Sequence, residues 1–251
     1  MGLGYQKLGS GNHKVIALHG WFGDQTTYDS MQHALSLDEF TYVAPAYRGY
    51  GLSHHLSGAY TNREIAADVI ALADALGWDR FSLIGHSMGG KAVQRVLVDA
   101  PGRVRKIVAV APVPAAAMPF DDATQALFAG AARSLENRTA ILAFSVGNRL
   151  SPAWVEHMVR HSVQTATVEA FAGYFQAWSK EDFAADVKGR DTPIKVIIGQ
   201  HDPALTEDIM RQTFLAWYPK AELEIMPNAG HYPTDETPLA LATSIETFLR
   251  T

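Results

Sequence analysis

One serine of the chain lies in a sequence that suits covalent catalysis. Ser87 is the third residue of Gly-His-Ser-Met-Gly (residues 85–89), which follows an apolar segment and precedes a helical pattern. Glycines two residues before and after a serine permit a very tight strand–turn–helix connection, in which the serine is strained and its hydroxyl is exposed. The pattern predicts that Ser87 is a nucleophile and that the backbone N–H of Met88 points at the reacting carbonyl.

Two side chains C-terminal to Ser87 could activate its hydroxyl. A serine is a weak nucleophile unless a histidine removes its proton and a carboxylate orients that histidine. Asp202 follows the apolar segment 194–198, and His231 lies in a loop after the segment 222–226. The sequence therefore predicts a catalytic triad of Ser87, His231 and Asp202. The alternative interpretation is a helix-capping aspartate and a surface-loop histidine.

A triad also needs two hydrogen-bond donors for the negative oxygen of the tetrahedral intermediate. The N–H of Met88 is one candidate. The first apolar segment ends in His19-Gly20-Trp21, and this turn predicts the N–H of Trp21 as the second donor of an oxyanion hole. The alternative is a glycine turn that only leads into a helix. We expect His19 to be a buried structural residue that is hydrogen-bonded to the backbone.

The elements that must position these residues alternate between strands and helices. Continuously apolar segments, typical of strands buried on both faces of a parallel sheet, span residues 14–18, 41–44, 80–84, 106–110 and 194–198. A further strand is expected at 222–226, between the last two helices. Helical patterns span residues 63–77, 88–100, 206–217 and 237–249. This alternation predicts a doubly wound, mainly parallel α/β sheet.

One region departs from the alternation. Residues 116–190 carry helical patterns and no strand signal of comparable strength. We therefore expect a core domain formed by residues 1–115 and 191–251, interrupted by a helical cap at 116–190. The aromatic side chains of the cap either pack its helices together or line an apolar pocket under a lid.

Composition excludes several kinds of protein. The 251 residues are 47% hydrophobic and 19% charged, which is enough apolar material for one sizeable core. A net charge of -5 argues against nucleic acid as a partner, and the absence of cysteine excludes thiol nucleophiles, disulfides and thiolate metal sites. The longest apolar runs have strand length, and the N-terminal residues show no signal-peptide pattern. We expect no membrane association and a cytoplasmic location.

Weaker motifs indicate no cofactor or metal. Gly85 to Lys91 resembles a phosphate-binding loop, but Ala92 stands where that motif needs a hydroxyl, and Lys91 is expected at the surface. His157 and His161 are one helical turn apart without a third ligand in a metal-binding pattern.

Together these motifs resemble the α/β-hydrolase-fold superfamily along the whole chain. Gly-His-Ser-Met-Gly-Gly (residues 85–90) is particularly similar to its small esterase and thioesterase branch. The resemblance implies the triad and the oxyanion hole given above, and a helical cap inserted after the sixth strand. Ala46 stands where the family usually has an aspartate, so we expect altered loop anchoring or substrate surroundings with catalysis retained.

The expected activity is hydrolysis of a small, apolar carboxylic ester, thioester or lactone through an acyl-serine intermediate. The same triad could instead cleave a carbon–carbon bond or carry out perhydrolysis without a cofactor. From another class, a hydrolase-fold receptor would bind a small molecule with little turnover. The sequence leaves the physiological substrate, the cap residues that line the pocket and the oligomeric state open.

Overall fold

A seven-stranded sheet forms the centre of the computed structural model, which describes residues 2–251. Its strands are β1 (Tyr5–Leu8), β2 (His13–Leu18), β3 (Phe40–Pro45), β4 (Phe81–His86), β5 (Val104–Val110), β6 (Ile194–Gly199) and β7 (Ala221–Met226). They lie in the order β1-β3-β2-β4-β5-β6-β7. Only the β1–β3 pair is antiparallel among these strands. The predicted doubly wound, mainly parallel α/β sheet is therefore confirmed.

Eleven α-helices accompany the sheet in the described residues. They are α1 (Asn62–Ala75), α2 (Met88–Asp99), α3 (Asp122–Gly130), α4 (Leu135–Ser145), α5 (Pro152–Thr165), α6 (Val168–Lys180), α7 (Ala184–Val187), α8 (Glu207–Gln212), α9 (Phe214–Trp217), α10 (Pro233–Glu236) and α11 (Pro238–Arg250). Short 3-10 helices lie at Asp29–Ala34 and Gly51–Ser53.

The alternating direction of side chains explains why central strands such as β2 are rich in consecutive apolar residues. Successive side chains of a strand point to opposite faces of a sheet. In β2, Ile16 and Leu18 join the core that packs against α1 and α2, whereas Val15 and Ala17 join the core that packs against α11. Both faces are covered, so the last four residues of β2 are buried in apolar surroundings.

Three features differ from the expectation. Strand β1 was not predicted, because its Tyr-Gln-Lys-Leu sequence forms a partly exposed edge strand without a continuous apolar signal. The helix expected at 206–217 is two short helices, α8 and α9, since the backbone of Thr213 leaves the helical conformation (φ −117°, ψ −90°). The helical segment follows the fifth strand rather than the sixth, since only β1 to β5 precede it in the chain.

The segment between β5 and β6 contains helices α3 to α7 and no strand. Each of α3 to α6 begins at a side chain that caps its first turn: Asp121, Ser134, Ser151 and Thr167. One isolated β-bridge joins Ala166 to Tyr50 of the body. We call this segment the helical insertion; its predicted boundaries at 116 and 190 stay a prediction.

Lys91 is buried, and its expected place at the surface is wrong. Its side chain extends from α2 to the helical insertion. There its ammonium donates hydrogen bonds to the carbonyl oxygens of Ala116, which precedes α3, and of Trp178 and Glu181 at the C-terminal end of α6. Burial lowers the pKa of Lys91 to about 8. Three donors meet three acceptors, which is how a lysine can be retained in an interior.

Candidate active site

Ser87 lies in a strained turn between β4 and α2. Its backbone adopts φ 54° and ψ −115°, a conformation that side chains other than glycine rarely take. The turn is so tight that a Cβ atom at Gly89 would collide with backbone oxygens at the end of β2. The strain therefore persists because packing on both sides of the turn enforces it.

The structure brings the three predicted side chains into one hydrogen-bond chain. The Ser87 hydroxyl donates to Nε2 of His231 at 2.9 Å, and Nδ1–H of His231 donates to Oδ2 of Asp202 at 2.7 Å. Asp202 follows β6 and His231 follows β7, so both reach the carboxyl edge of the sheet, where β4 presents Ser87. This geometry allows a proton to pass from Ser87 to His231.

Asp202 is held as a buried carboxylate. Its Oδ1 atom accepts hydrogen bonds from the N–H groups of Ala204 at 2.9 Å and Leu205 at 3.0 Å. Burial acts to raise the pKa of Asp202, but His231 and the two N–H donors outweigh it and hold the pKa below its ordinary value. The carboxylate therefore stays ionised and keeps the proton of His231 on Nδ1.

His86 positions the loop that carries His231, a role that sequence reasoning missed. Its Nε2–H donates to the backbone oxygen of His231 at 2.8 Å. Burial lowers the pKa of His86 to about 3, and the nearby His231 ring adds to this effect, so the His86 ring is neutral. His86 occupies a position that the Gly-x-Ser-x-Gly motif leaves unspecified. The sequence does not indicate its role, since its hydrogen-bond partner lies 145 residues away.

The two predicted oxyanion donors belong to segments that adjoin Ser87: Met88 follows it in the chain, and Gly20, which precedes Trp21, lies beside it in the fold. Met88 begins α2, and Trp21 follows the His19-Gly20 turn after β2. Within residues 2–251, neither backbone N–H donates a hydrogen bond to another protein group. The Trp21 indole donates to the backbone oxygen of Phe171 at 2.8 Å, which ties this turn to the helical insertion.

His19 is buried and hydrogen-bonded to the backbone, as expected. Its Nδ1–H donates to the oxygen of Gly20 at 2.8 Å, while its Nε2 accepts from the N–H of Tyr47 at 3.1 Å. Burial lowers the pKa of His19 to about 4, so the ring is neutral. His19 thereby fixes the turn that carries Trp21.

Ala46, which occupies the position of the usual aspartate, is fully buried. Its N–H donates to the oxygen of Gly4 at 2.9 Å, and the N–H of Gly4 donates to the Ser53 hydroxyl at 2.8 Å. The loop after β3 is thus attached to the N-terminal segment through backbone groups and one hydroxyl.

An apolar cavity of about 110 Å³ opens at Ser87 and His231. The body contributes Trp21, Phe22, Val113, Leu205 and Tyr232 to its walls, and the insertion contributes Met118, Phe120, Phe128, Ile141, Phe144 and Trp178. It is smaller than the ~150 Å³ cavity that accepts benzene in an engineered protein core. Because aromatic and aliphatic side chains form most of the wall, the cavity suits a short, uncharged group.

Phe22 and Tyr232 line both this cavity and a larger cleft of about 630 Å³. His161 from α5 contacts the buried carboxylate of Asp24 there, with Nε2 and Oδ1 3.4 Å apart. The hydrogen bond that His161 donates to Asp24 raises the pKa of His161, although burial opposes it. Burial acts to raise the pKa of Asp24, but hydrogen bonds from His161 and Thr26 outweigh it and bring the pKa to about 2.

Neither a metal cluster nor a membrane-spanning helix occurs in the described part of the chain. No three His, Asp or Glu side chains of residues 2–251 are placed to bind one metal ion, and His161 pairs with Asp24. No helix in the same residues is long and apolar enough to cross a bilayer.

Known proteins resemble the chain in sequence and in fold. Esterase YbfF of Escherichia coli (strain K12) is 26% identical over 248 residues, which cover 95% of this chain and 93% of that protein. The human serine hydrolase-like protein is 34% identical over 96 residues, which cover 38% of this chain and 47% of that protein, so the chain spans less than half of its length. An esterase from Exiguobacterium antarcticum superposes with a TM-score of 0.86 at 18% identity, covering 98% of this chain and 95% of that one.

A family assignment follows from these likenesses. Residues 14–238 match the family described as alpha/beta hydrolase fold. This match extends from β2 to the start of α11 and includes Ser87, Asp202 and His231. The chain therefore belongs to the α/β-hydrolase-fold family.

Proposed function

We propose that the protein is a serine hydrolase that cleaves a small, apolar carboxylic ester, thioester or lactone. The observation that carries the proposal is the hydrogen-bond chain from Asp202 through His231 to Ser87, which ends in an apolar cavity. A nucleophile, a base and a group that orients the base are the minimum set for acyl transfer through an acyl-serine.

The first half-reaction forms the acyl-serine. Ser87 Oγ attacks the substrate carbonyl carbon while its proton moves to Nε2 of His231. The carbonyl oxygen becomes negative and accepts hydrogen bonds from the N–H groups of Trp21 and Met88. When the tetrahedral intermediate collapses, His231 gives the proton to the leaving oxygen or sulfur.

The second half-reaction uses water in place of Ser87. His231 takes a proton from the water, whose oxygen attacks the acyl carbon, and then returns the proton to Ser87 Oγ as the ester bond breaks. Asp202 stays ionised in both steps and stabilises the positive ring of His231. This role agrees with its buried position and its pKa below the ordinary value.

The cavity supports a short acyl or alcohol group next to the scissile bond. At about 110 Å³ it has space for a few carbon atoms. Burial of each methylene contributes about 0.8 kcal/mol, so affinity is expected to rise with chain length only until the cavity is full. Longer chains must displace aromatic side chains of the insertion, which lowers their rate.

A panel of p-nitrophenyl esters, from acetate to decanoate, tests the proposal. We expect kcat/KM to be highest for short acyl groups. We expect the Ser87→Ala variant to lose about 10⁶-fold in kcat and the Asp202→Asn variant about 10⁴-fold. Ser57→Ala is the matched control, since this exposed serine lies away from the cavity.

Covalent labelling identifies the nucleophile independently of the substrate. A fluorophosphonate probe should modify the wild type and the Ser57→Ala variant but not the Ser87→Ala variant. Labelling at another residue contradicts the proposed site. Tight ligand binding without turnover of any ester would favour the receptor, and product formation from a vinylogous diketone or from peroxide would favour the other two enzymes.

A further inference from the structure

Both backbone polar groups of His231 are bound by residues outside its own loop. Its N–H donates to the carbonyl oxygen of Ser145 at 3.1 Å, and its carbonyl oxygen accepts from the His86 ring at 2.8 Å. His86 belongs to β4 of the body, whereas Ser145 is the last residue of α4 in the helical insertion. The backbone of the proposed base is therefore held from two sides, and the insertion is one of them.

A buried carboxylate holds the residues on either side of His231. Oε1 of Glu236 accepts hydrogen bonds from the N–H groups of Gly230 at 2.8 Å and Tyr232 at 3.1 Å. Only 1% of the Glu236 side chain is exposed. A carboxylate in an interior needs hydrogen bonds and a positive charge to compensate for its lost hydration. The two N–H groups satisfy Oε1, so Oε2 is the atom that needs a cation.

Arg149 of the helical insertion supplies that cation. It lies in the connection between α4 and α5, and its guanidinium donates to Oε2 of Glu236 at 3.1 Å. A second nitrogen of the guanidinium donates to the carbonyl oxygen of Asn228, in the loop that carries His231, at 3.3 Å. Because a guanidinium is planar and its donors have a fixed geometry, it can join a carboxylate and a carbonyl oxygen rigidly.

The end of α4 is also in direct contact with this loop. A Cβ atom at Gly230 would lie 2.9 Å from Cα of Val146 and 3.2 Å from the oxygen of Ser145, so only glycine fits there. The same helix forms part of the cavity wall through Ile141, Phe144 and Ser145. One helix end therefore borders the space for the substrate and holds the proposed base.

We propose that Arg149 and Glu236 are positioning residues that keep His231 within hydrogen-bonding distance of Ser87, so that the base depends on the helical insertion. This inference rests on the proposed function and adds two residues to its site. Neither side chain lines the catalytic cavity, so both act through the backbone of residues 228–232. Misplacing a catalytic group by about 1 Å can lower a rate about 10²-fold.

Two substitutions break the link between the insertion and the loop. Arg149→Met removes the cation, and Glu236→Gln keeps an oxygen for the two N–H groups but loses the charge that attracts Arg149. With p-nitrophenyl acetate, we expect each variant to lower kcat about 10-fold to 10²-fold and to leave KM within about 2-fold of the wild-type value. Since both substitutions break one link, the double variant should lose no more than the stronger single variant. Arg149→Lys keeps a positive charge and should restore most of kcat.

Arg160→Met and Glu156→Gln are the matched controls. These residues form an ion pair on α5 of the same insertion, with side chains 62% and 68% exposed. Each control should keep the wild-type kcat, because exposed ion pairs contribute little. A wild-type kcat in folded Arg149→Met would overturn the inference, as would equal losses in Arg149→Met and Arg160→Met or multiplied losses in the double variant. If Arg149→Met does not fold, the polar variant Arg149→Gln takes its place.

The Nδ1 proton of His231 gives a readout that needs no turnover. It lies in a short, charge-assisted hydrogen bond to Asp202, and such protons resonate at low field in a proton NMR spectrum. We expect this resonance of the unliganded protein to shift or broaden in Arg149→Met and Glu236→Gln and to stay unchanged in Arg160→Met. An unchanged resonance in the first two variants would refute the inference. Absence of any Ser87-dependent hydrolysis by the wild type would refute the proposed function, and the resonance would still report on the position of His231.

Discussion

Replacing Lys91 with methionine tests whether one buried ammonium attaches the helical insertion to the body. Methionine has a similar length and volume, so the substitution removes the hydrogen bonds without opening a large cavity. The carbonyl oxygen of Trp178 is buried, whereas the bonds to Ala116 and Glu181 are partly buried. The first oxygen is therefore left without a donor, and water can replace the donor at the other two.

The burial of these three carbonyl oxygens determines how strongly Lys91→Met destabilises the fold. An orphaned buried carbonyl costs about 1–3 kcal/mol, and loss of each partly hydrated bond costs about 0.5–1.5 kcal/mol. Lys91→Met should thus lower the free energy of unfolding by about 2–6 kcal/mol near neutral pH. For a protein of this size, that change lowers Tm by about 4–24 °C.

Thermal unfolding followed by circular dichroism measures the effect, with Lys180→Met as the matched control. Lys180 is the last residue of α6, and its side chain is exposed. Lys180→Met therefore also removes a positive charge near the C-terminal end of α6, but it breaks no buried hydrogen bond. We expect Lys180→Met to change Tm by less than about 2 °C. Hydrogen exchange should also accelerate in α6 of Lys91→Met more than in β4. Equal Tm values for the two variants would refute the reasoning.

Two further predictions concern His161 and Gly89. Asp24 raises the pKa of His161, so the folded state binds the His161 proton more tightly than the unfolded state does. The resulting stabilisation is fully present below the pKa of the unfolded state. It is lost as the pH rises through the pKa of the folded state. His161→Gln should therefore lower Tm more at about pH 5.5 than at about pH 8.5. Gly89→Ala should displace the nucleophile turn and lower kcat at least ~10²-fold, because its Cβ meets backbone atoms, whereas Gly102→Ala has open space and should retain wild-type activity.

Local sequence patterns predicted the sheet and the residues that gather at its edge. Ser87 is framed by glycines that its turn requires, and Asp202 and His231 each follow a strand, β6 and β7. Parallel strands end at one edge, so the order of elements is sufficient to predict their proximity. Their catalytic role stays a proposal, because hydrogen-bond geometry and turnover are different observations.

Long-range contacts account for what the sequence did not reveal. Lys91 reads as a surface residue because its three acceptors are backbone oxygens, which carry no sequence signal. His86 donates a hydrogen bond to the backbone of a loop 145 residues later in the chain. The indole N–H of Trp178, in α6, is buried without a hydrogen-bond partner, which only the tertiary structure can show. Such roles depend on tertiary packing rather than on local periodicity.

The position of Lys91 between Ala116 and the end of α6 has an engineering consequence. Oxygens of Ala116 and Glu181 lie within hydrogen-bonding distance of one nitrogen, so the part of the helical insertion that contains α3 to α6 begins and ends at neighbouring points. A segment with adjacent ends can be exchanged without moving the strands that carry the site, since closing a loop across a short gap costs little entropy. The α/β body is therefore a scaffold that can accept a different helical insertion. A donor segment must place two backbone carbonyl oxygens where they accept hydrogen bonds from Lys91.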